Sequence, residues 1–205
     1  NLPYKKPVAQ NTEAQSGAVL GENAPSHGTN AEDVLQFVVD NVLSNGDLLQ
    51  HQKFYSYCPS PSNFISTMAD CLATGFNVFS GAWVTSPGAT NVEVVCVNWL
   101  LEMFGLPIKE GGGLFTSGGS MANMTGIVTA RDVKCGEFTA LGVLYISDQA
   151  HSSIAKAAKV IGLKDHQIVV IPTNSDYTMN MTSLMLAIKR DKIDGELPFC
   201  VVATA

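Results

Sequence analysis

The chain has 205 residues, of which 46% are hydrophobic and 15% are charged, and this composition is typical of a folded, core-rich protein. Twelve Lys and Arg residues against eighteen Asp and Glu residues give a formal net charge of −6, which argues against partners such as nucleic acid or anionic lipid. The longest apolar runs fall short of the roughly 20 residues that a membrane span needs, so we expect no membrane segment.

The cysteines are odd in number, widely spaced and never arranged as Cys-x-x-Cys. This pattern argues against a zinc site or a disulfide framework and favours reduced thiols, so we expect a cytoplasmic protein without a metal. The five cysteines are Cys58, Cys71, Cys96, Cys135 and Cys200.

The first third of the chain predicts an arm followed by a helix. Residues 1–29 are rich in Asn, Ser, Gly, Pro and Ala and have little periodic apolar pattern, which predicts an extended arm or a loosely packed terminus. Asn30 is a candidate N-cap for apolar residues at helical spacing, which predict a helix over 31–44 that ends at Asn45-Gly46.

Proline and glycine interrupt the next stretch. Two prolines exclude regular helix from Phe54–Pro61. Helical patterns then cover about 61–75 and 90–104, and residues 81–88 between them read as irregular.

Helices and strands alternate in the second half of the chain. The predicted elements are helices over 120–132, 152–161 and 182–189 and strands over 143–146, 168–171 and 199–203. The alternation predicts an α/β fold with a mainly parallel sheet that is covered by helices on both faces. The last strand directly precedes residue 205, so we expect the domain to be incomplete in this chain.

Two short segments carry candidate chemistry. The small residues of Thr116–Asn123 lead into a helix, whose N-terminal N–H groups suit a phosphate, although a tight turn that merely caps the helix explains the pattern equally well. His151 lies between a predicted strand and a predicted helix, where α/β sheets place ligands and where an imidazole can stack on a ring or move a proton. A histidine that only caps its own helix is the alternative.

In combination these segments resemble the pyridoxal-phosphate-dependent group II amino acid decarboxylases, which include the aromatic-L-amino-acid and glutamate decarboxylases. The resemblance covers about residues 30–205. The matching segments are Phe54–Pro61, Trp83–Pro87 with Glu93, Asn98–Leu100, Gly105–Pro107, Thr116–Asn123, and Asp148–Ile154 with Lys156–Ala158.

The resemblance implies a fold-type-I fold for pyridoxal 5'-phosphate (PLP) enzymes, preceded by an N-terminal helical segment, and decarboxylation of an L-amino acid to the amine and carbon dioxide. Gly119 and Ser120 occupy the turn that holds the cofactor phosphate in this family, and His151 occupies the position of the imidazole that stacks on the cofactor ring and takes part in catalysis. Tyr57, Pro59 and Ser60 correspond to a segment that lines the substrate pocket, often from the partner subunit of a homodimer.

The resemblance also divides the chain and leaves parts of the enzyme out. It implies an arm and helical dimerisation segment over 1–60 and the first part of the large PLP-binding domain over 61–205. The Schiff-base lysine and the aspartate that faces the ring nitrogen are expected after residue 205, so we expect this chain alone to be incompetent in catalysis.

Three residues depart from the family pattern. Met121 stands where many members have Glu, and Cys58 and Gly81 stand where aromatic-specific members tend to have aromatic side chains. Because Cys58 and Gly81 depart from the aromatic-specific pattern, the residues do not name the amino acid substrate. Two other functions stay open: a truncated, non-catalytic relative that acts as a dimerisation partner, and another fold-type-I PLP lyase, including an aldehyde-forming variant.

Overall fold

A computed structural model describes residues 12–21, 23–57 and 60–204. The chain divides into two units between Phe79 and Ser80, and each unit is described by itself. No helix within the described ranges is long and apolar enough to cross a membrane.

The first unit is helical, and side-chain caps start its helices. Its α-helices are α1 (Glu13–Leu20), α2 (Ala31–Asn41) and α3 (Phe64–Phe76). Asn30 and Asn63 each accept a hydrogen bond from a backbone N–H in the first turn of α2 and α3, respectively. None of the three helices contributes a buried residue.

Of the two alternatives predicted for residues 1–29, the extended arm is wrong for residues 13–20, which form α1. Thr12 and Gln15 form a reciprocal capping box that satisfies the first N–H groups of α1, and this local signal starts a helix without an apolar stripe. Helix α2 is also shorter than predicted, because residues Leu43–Asn45 form a separate 3-10 turn. Residues 1–11 and residue 22 lie outside the described ranges.

The second unit alternates helices and strands. Its elements are α4 (Pro87–Met103), α5 (Gly119–Cys135), β1 (Gly142–Ser147), α6 (Ser152–Val160), β2 (Ile168–Ile171), α7 (Met181–Ile193) and β3 (Leu197–Val202). The irregular stretch predicted over 81–88 ends two residues early, because Pro87 is pre-organised for the first turn of a helix and begins α4.

The sheet is parallel, as predicted. Its strand order is β2-β1-β3, and β1 pairs in parallel with both neighbours. Pro198 lies inside β3 opposite Val143, and the register shifts directly after that pair. A proline has no N–H to donate to the ladder, which accounts for an irregularity at this position.

Every residue of the central strand β1 is buried, and its side chains alternate between two cores. Leu144 and Ile146 belong to a cluster with residues of α5 and α6. Val143 and Tyr145 belong to a second cluster with Leu184 of α7. Helices therefore cover both faces of the sheet, which confirms the predicted fold class.

A buried glutamine fixes the loop that enters β1. The side chain of Gln167 is 2% exposed, and its Nε2 donates to the backbone oxygens of Thr139, Ala140 and Gly142 at 3.3, 3.1 and 2.8 Å. Its Oε1 accepts from the Lys164 N–H at 2.9 Å. One amide group thus satisfies the Lys164 N–H and carbonyl oxygens of the segment that leads into β1.

A buried polar contact joins β1 to α7. The Tyr145 hydroxyl donates to Asp191 Oδ2 at 2.8 Å, and Arg190 Nε donates to Asp191 Oδ1 at 2.8 Å. Tyr145 is 0% exposed and Asp191 is 6% exposed. Burial and the hydrogen bond to the carboxylate both favour the neutral phenol, so they raise the pKa of Tyr145 well above its ordinary value.

We expect Tyr145→Phe to lower the free energy of unfolding near neutral pH by about 1.5–3 kcal/mol, because a hydrogen bond to a buried carboxylate is lost. A phenol whose pKa is raised by folding contributes stability below about pH 10, where the unfolded chain keeps its proton, and loses it as pH rises further. The difference between wild type and variant therefore narrows above about pH 10.

Urea denaturation at a series of pH values from about 7 to 11 measures this difference. Tyr177→Phe is the matched control, because Tyr177 is 74% exposed. If the difference in free energy of unfolding between wild type and Tyr145→Phe stays constant over the whole pH series, the Tyr145 phenol is not the group that titrates.

Candidate functional site

Helix α5 begins without a side-chain cap. Gly118 precedes it in an extended conformation, and no side chain caps the N–H groups of its first turn. The N–H groups of Gly119 and Ser120 precede the first intrahelical bonds, which Met121 and Ala122 donate to the Gly118 oxygen. A Cβ atom built on Gly118 or Gly119 meets no atom within 4 Å, so the start of α5 faces open space.

Glu93 of α4 holds the segment that leads into this turn. Its carboxylate Oε1 accepts a hydrogen bond from the Phe115 N–H at 2.8 Å, across 22 residues of sequence. The Thr116 hydroxyl donates to the Gly118 oxygen at 3.0 Å and closes the turn itself. The family resemblance drew attention to Glu93, whereas its role as an anchor is visible only in the structure.

His151 occupies the N-cap position of α6, directly after the turn that follows β1. Its Nδ1 accepts from the Ser153 N–H at 3.2 Å and lies 2.8 Å from the Ser153 hydroxyl oxygen. The imidazole is exposed, whereas Ser153 is 5% exposed. The capping role and a functional role are therefore compatible, because capping uses one ring nitrogen and leaves the ring accessible.

One pocket of about 250 Å³ brings the two sequence-predicted segments together. It is lined by Ser120, Met121, Met124, His151, Ser152, Ser153, Lys156, Ala157 and Val160. Ser120 and His151, which are 31 positions apart in the sequence, thus face the same space, with the start of α5 on one side and the start of α6 on the other. A larger cavity of about 790 Å³ is lined by another part of α5 and by Phe199 and does not include His151.

Sequence reasoning included Asn123 and Ser153 in the matching segments but assigned neither a role. Asn123 Nδ2 donates to the Ser153 hydroxyl oxygen at 2.9 Å and links α5 to α6 beneath the pocket. The available signal was spacing: Asn123 follows Ser120 by about one helical turn, and Ser153 follows the capping histidine by two positions. Spacing does not show that the two side chains meet.

The carboxyl ends of β1 and β2 are joined by Asp148. Its Oδ2 accepts from the Thr173 N–H at 3.4 Å, and its own N–H donates to the Ile171 oxygen at 3.1 Å. Hydrogen bonding from Thr173 lowers the pKa of the Asp148 carboxyl below its ordinary value. Asp148 is thus held as an anion at the edge of the sheet from which His151 follows.

The sequence-predicted substrate residues belong to the first unit. Tyr57 has a φ of 60°, a left-handed conformation that is uncommon for a non-glycine residue, and it is 83% exposed. Its ring lies 6.3 Å from the ring of Phe54. Ser60 is exposed, and Cys58 and Pro59 lie outside the described residues.

Within the described ranges, no group of three or more His, Cys, Asp or Glu side chains is arranged to hold a metal ion. Four cysteines in these ranges are free: Cys71, Cys96, Cys135 and Cys200.

A family model described as the pyridoxal-dependent decarboxylase conserved domain matches residues 14–205. The chain belongs to the pyridoxal-dependent decarboxylase family. The match includes the turn at Gly119, the imidazole of His151 and the segment around Tyr57, so the family resemblance of the sequence is confirmed.

Curated relatives and solved structures that are similar to this chain include decarboxylases and aldehyde synthases. The chain is 40% identical over 186 residues to an aromatic-L-amino-acid decarboxylase of Bacillus atrophaeus and 31% identical over 196 residues to a phenylacetaldehyde synthase of Arabidopsis thaliana. Among solved structures, a Rhodiola rosea 4-hydroxyphenylacetaldehyde synthase superposes with a TM-score of 0.88 at 28% identity.

These matches cover nearly all of this chain but less than half of each similar protein. The alignments with the Bacillus and Arabidopsis proteins cover 91% and 90% of this decarboxylase-family chain and 38% and 40% of the relatives. The structural match covers 98% of this chain and 45% of the Rhodiola protein.

We expect Glu93→Ala to accelerate hydrogen exchange at the Phe115 amide by roughly ten- to a hundredfold, because a hydrogen bond to a carboxylate contributes about 1.5–3 kcal/mol. Glu93→Gln keeps an acceptor oxygen and restores most of the protection. Exchange measured by NMR checks this residue directly.

Glu102→Ala is the matched control, because it removes an exposed carboxylate from the same helix. Equal Phe115 exchange rates in the Glu93→Ala and Glu102→Ala variants show that Glu93 does not anchor the turn.

Proposed function

We propose that the protein takes part in PLP-dependent decarboxylation of an L-amino acid to the amine and carbon dioxide. The observation that carries the proposal is the shared pocket, in which Ser120 at an uncapped helix start and the imidazole of His151 face the same space. Membership of the pyridoxal-dependent decarboxylase family supports the same reaction.

The start of α5 fits the cofactor phosphate. The N–H groups of Gly119 and Ser120 lie at the positive end of a 17-residue helix, and an anion there gains hydrogen bonds and a favourable dipole interaction. Gly118 and Gly119 leave open the space that a side chain would fill. These residues would bind and orient the phosphate and so fix where the cofactor ring lies.

His151 would supply the second contact with the cofactor. An exposed, planar imidazole that is held by one nitrogen can lie against an aromatic ring and can hold or move a proton at Nε2. When bound, PLP supplies the electron sink that stabilises the charge left on the substrate as carbon dioxide departs. The chain's own part is to hold the phosphate and to present the imidazole.

We place the cofactor-bearing lysine and the aspartate that faces the ring nitrogen outside residues 1–205. The coverage of the relatives supports this, since the matched stretch accounts for 38% of the Bacillus decarboxylase. On this proposal residues 1–205 alone do not complete a turnover, and the intact protein does.

Tyr57, Pro59 and Ser60 are proposed to line the substrate pocket. The exposed Tyr57 ring and its left-handed backbone support this role, because such conformations cost about 1–3 kcal/mol and tend to persist where function requires them. The name of the Bacillus relative makes aromatic L-amino acids the first substrates to test.

We further propose a homodimer, with residues 1–60 as arm and dimerisation segment and residues 61–205 as the first part of the PLP-binding domain. The support is the apolar surface of the dimerisation segment, where Leu35, Leu43 and Tyr55 are 64%, 61% and 89% exposed. The free thiols described above support a cytoplasmic location.

The reaction is tested with the intact protein, PLP and a panel of L-amino acids, with amine, carbon dioxide and aldehyde measured together. We expect amine and carbon dioxide in equal amounts. His151→Gln is expected to lower kcat by about 10²–10⁴-fold while PLP absorbance is retained, because the loss of a positioned acid–base group has effects of that size.

His166→Gln is the control for that variant, because His166 is an exposed histidine outside the pocket. Aldehyde in place of amine would assign the aldehyde-forming reaction named for the Arabidopsis and Rhodiola proteins. PLP binding without any product, or no PLP binding at all, would favour a non-catalytic dimerisation partner.

The phosphate contact is tested separately. We expect Gly119→Val to weaken PLP binding by roughly ten- to a hundredfold, because the side chain fills the space beside N–H groups that bind an anion. Binding of pyridoxal, which has no phosphate, should change little. Titration followed by absorbance compares the two ligands.

Gly126→Val is the matched control, because a Cβ at Gly126 of the same helix also meets no atom within 4 Å. If Gly119→Val and Gly126→Val bind PLP equally well, the phosphate does not lie at the start of α5.

A further inference from the structure

Ser153 directs two groups at one atom. Its backbone N–H lies 3.2 Å from His151 Nδ1, and its hydroxyl oxygen lies 2.8 Å from the same nitrogen. Ser153 is 5% exposed, so water does not compete freely for these contacts. The buried serine thus holds the exposed imidazole from one side.

The chemistry of these groups fixes the proton on the imidazole. A backbone N–H can only donate, so His151 Nδ1 must be the acceptor and carries no hydrogen in this arrangement. In the neutral imidazole the hydrogen is therefore on Nε2, the nitrogen that Ser153 does not engage.

Asn123 sets the direction of the serine hydroxyl. Its Nδ2 donates to the Ser153 oxygen at 2.9 Å, so that oxygen acts as an acceptor toward α5. The hydroxyl hydrogen is then free to point toward His151 Nδ1. The Asn123 amide therefore donates to the Ser153 oxygen, and the Ser153 hydroxyl and N–H both donate to His151 Nδ1. The series runs from α5, through α6, to the imidazole at the pocket.

We propose that Asn123 and Ser153 are positioning residues that hold His151 in the Nε2–H tautomer and in one side-chain orientation. The inference rests on the proposed function only for the use of the imidazole, because the tautomer is a property of this chain without a cofactor. For the reaction, its consequence is that an N–H donor at Nε2, rather than a bare nitrogen, is available to a ligand.

The test measures the tautomer in the intact, cofactor-free protein with ¹⁵N-labelled histidine. Spectra are recorded at about pH 9, where an ordinary imidazole is neutral, and the His151 signals are assigned by their loss in His151→Gln. We expect the hydrogen on Nε2 and no detectable Nδ1–H form. A predominant Nδ1–H form overturns the proposal.

Asn123→Asp replaces the amide that donates to Ser153 with a carboxylate of nearly the same size. A carboxylate only accepts, so it draws the Ser153 hydroxyl hydrogen away from His151, and the serine oxygen then faces Nδ1 as an acceptor. We expect protonation at Nδ1 to become detectable in this variant. Ser153→Ala, which keeps the backbone N–H contact and loses the hydroxyl, is expected to give a smaller change in the same direction.

Asn180→Asp is the matched control, because it makes the same change of charge at the N-cap of α7, where Asn180 accepts from the Ser183 N–H. His151 signals that respond equally to the three substitutions, or to none, reject the positioning role. The readout does not need PLP, so failure of the proposed function leaves this result intact, and the reverse also holds.

Activity of the intact enzyme gives a second readout. We expect Asn123→Asp to lower kcat by at least tenfold with a smaller change in KM, because the cofactor and substrate contacts remain while the imidazole proton is misplaced. An unchanged kcat together with an altered tautomer would show that the reaction does not use the Nε2 hydrogen and would overturn the link to catalysis.

Discussion

The parallel pairing of β1 with both β2 and β3 is the constraint on which the second unit depends. The strand is buried on both faces, and its middle residues, Leu144–Ile146, are paired on both edges. Because β1 is fixed in this way, the residues that follow it have little freedom. The turn 147–150 and His151 emerge at a defined point of the sheet edge.

The N-terminal ends of two helices at this edge of the sheet supply the groups that face the pocket. Helix α5 presents uncapped N–H groups and α6 presents a capping imidazole, and the two helices pack on the same face of the sheet. The helix start that we propose as the phosphate site and the exposed imidazole of His151 thus become neighbours through the packing of α5 against α6. Gln167 and Glu93 serve the same end from a distance, because each satisfies backbone N–H or C=O groups in a segment that leads into the site.

Much of this arrangement was predictable from the sequence, for reasons that differ between elements. The continuous apolar runs at 143–146 and 168–171 located β1 and β2 to within one residue. In β1 the run is continuous because the strand is buried on both faces and has no polar alternation. Helix α1 was missed because its start depends on a capping box rather than on an apolar stripe. The start of α5 and His151 were found through motifs. The contact between Asn123 and Ser153 was not, because it depends on the packing of two helices and leaves no periodic signal.

Ser153 belongs to two structures at once, since its N–H is capped in the first turn of α6 and its hydroxyl joins α6 to α5. The effects of substitutions at residues 123, 151 and 153 on stability and activity should therefore not be additive. Once one of these residues is changed, the hydrogen bonds that remain no longer all donate in the direction of His151. The energetic value of any single residue here depends on which of its neighbours is present. A comparison of family members at one position at a time would underestimate the contribution of each of these residues. A comparison of the residues at 123, 151 and 153 as a set would not.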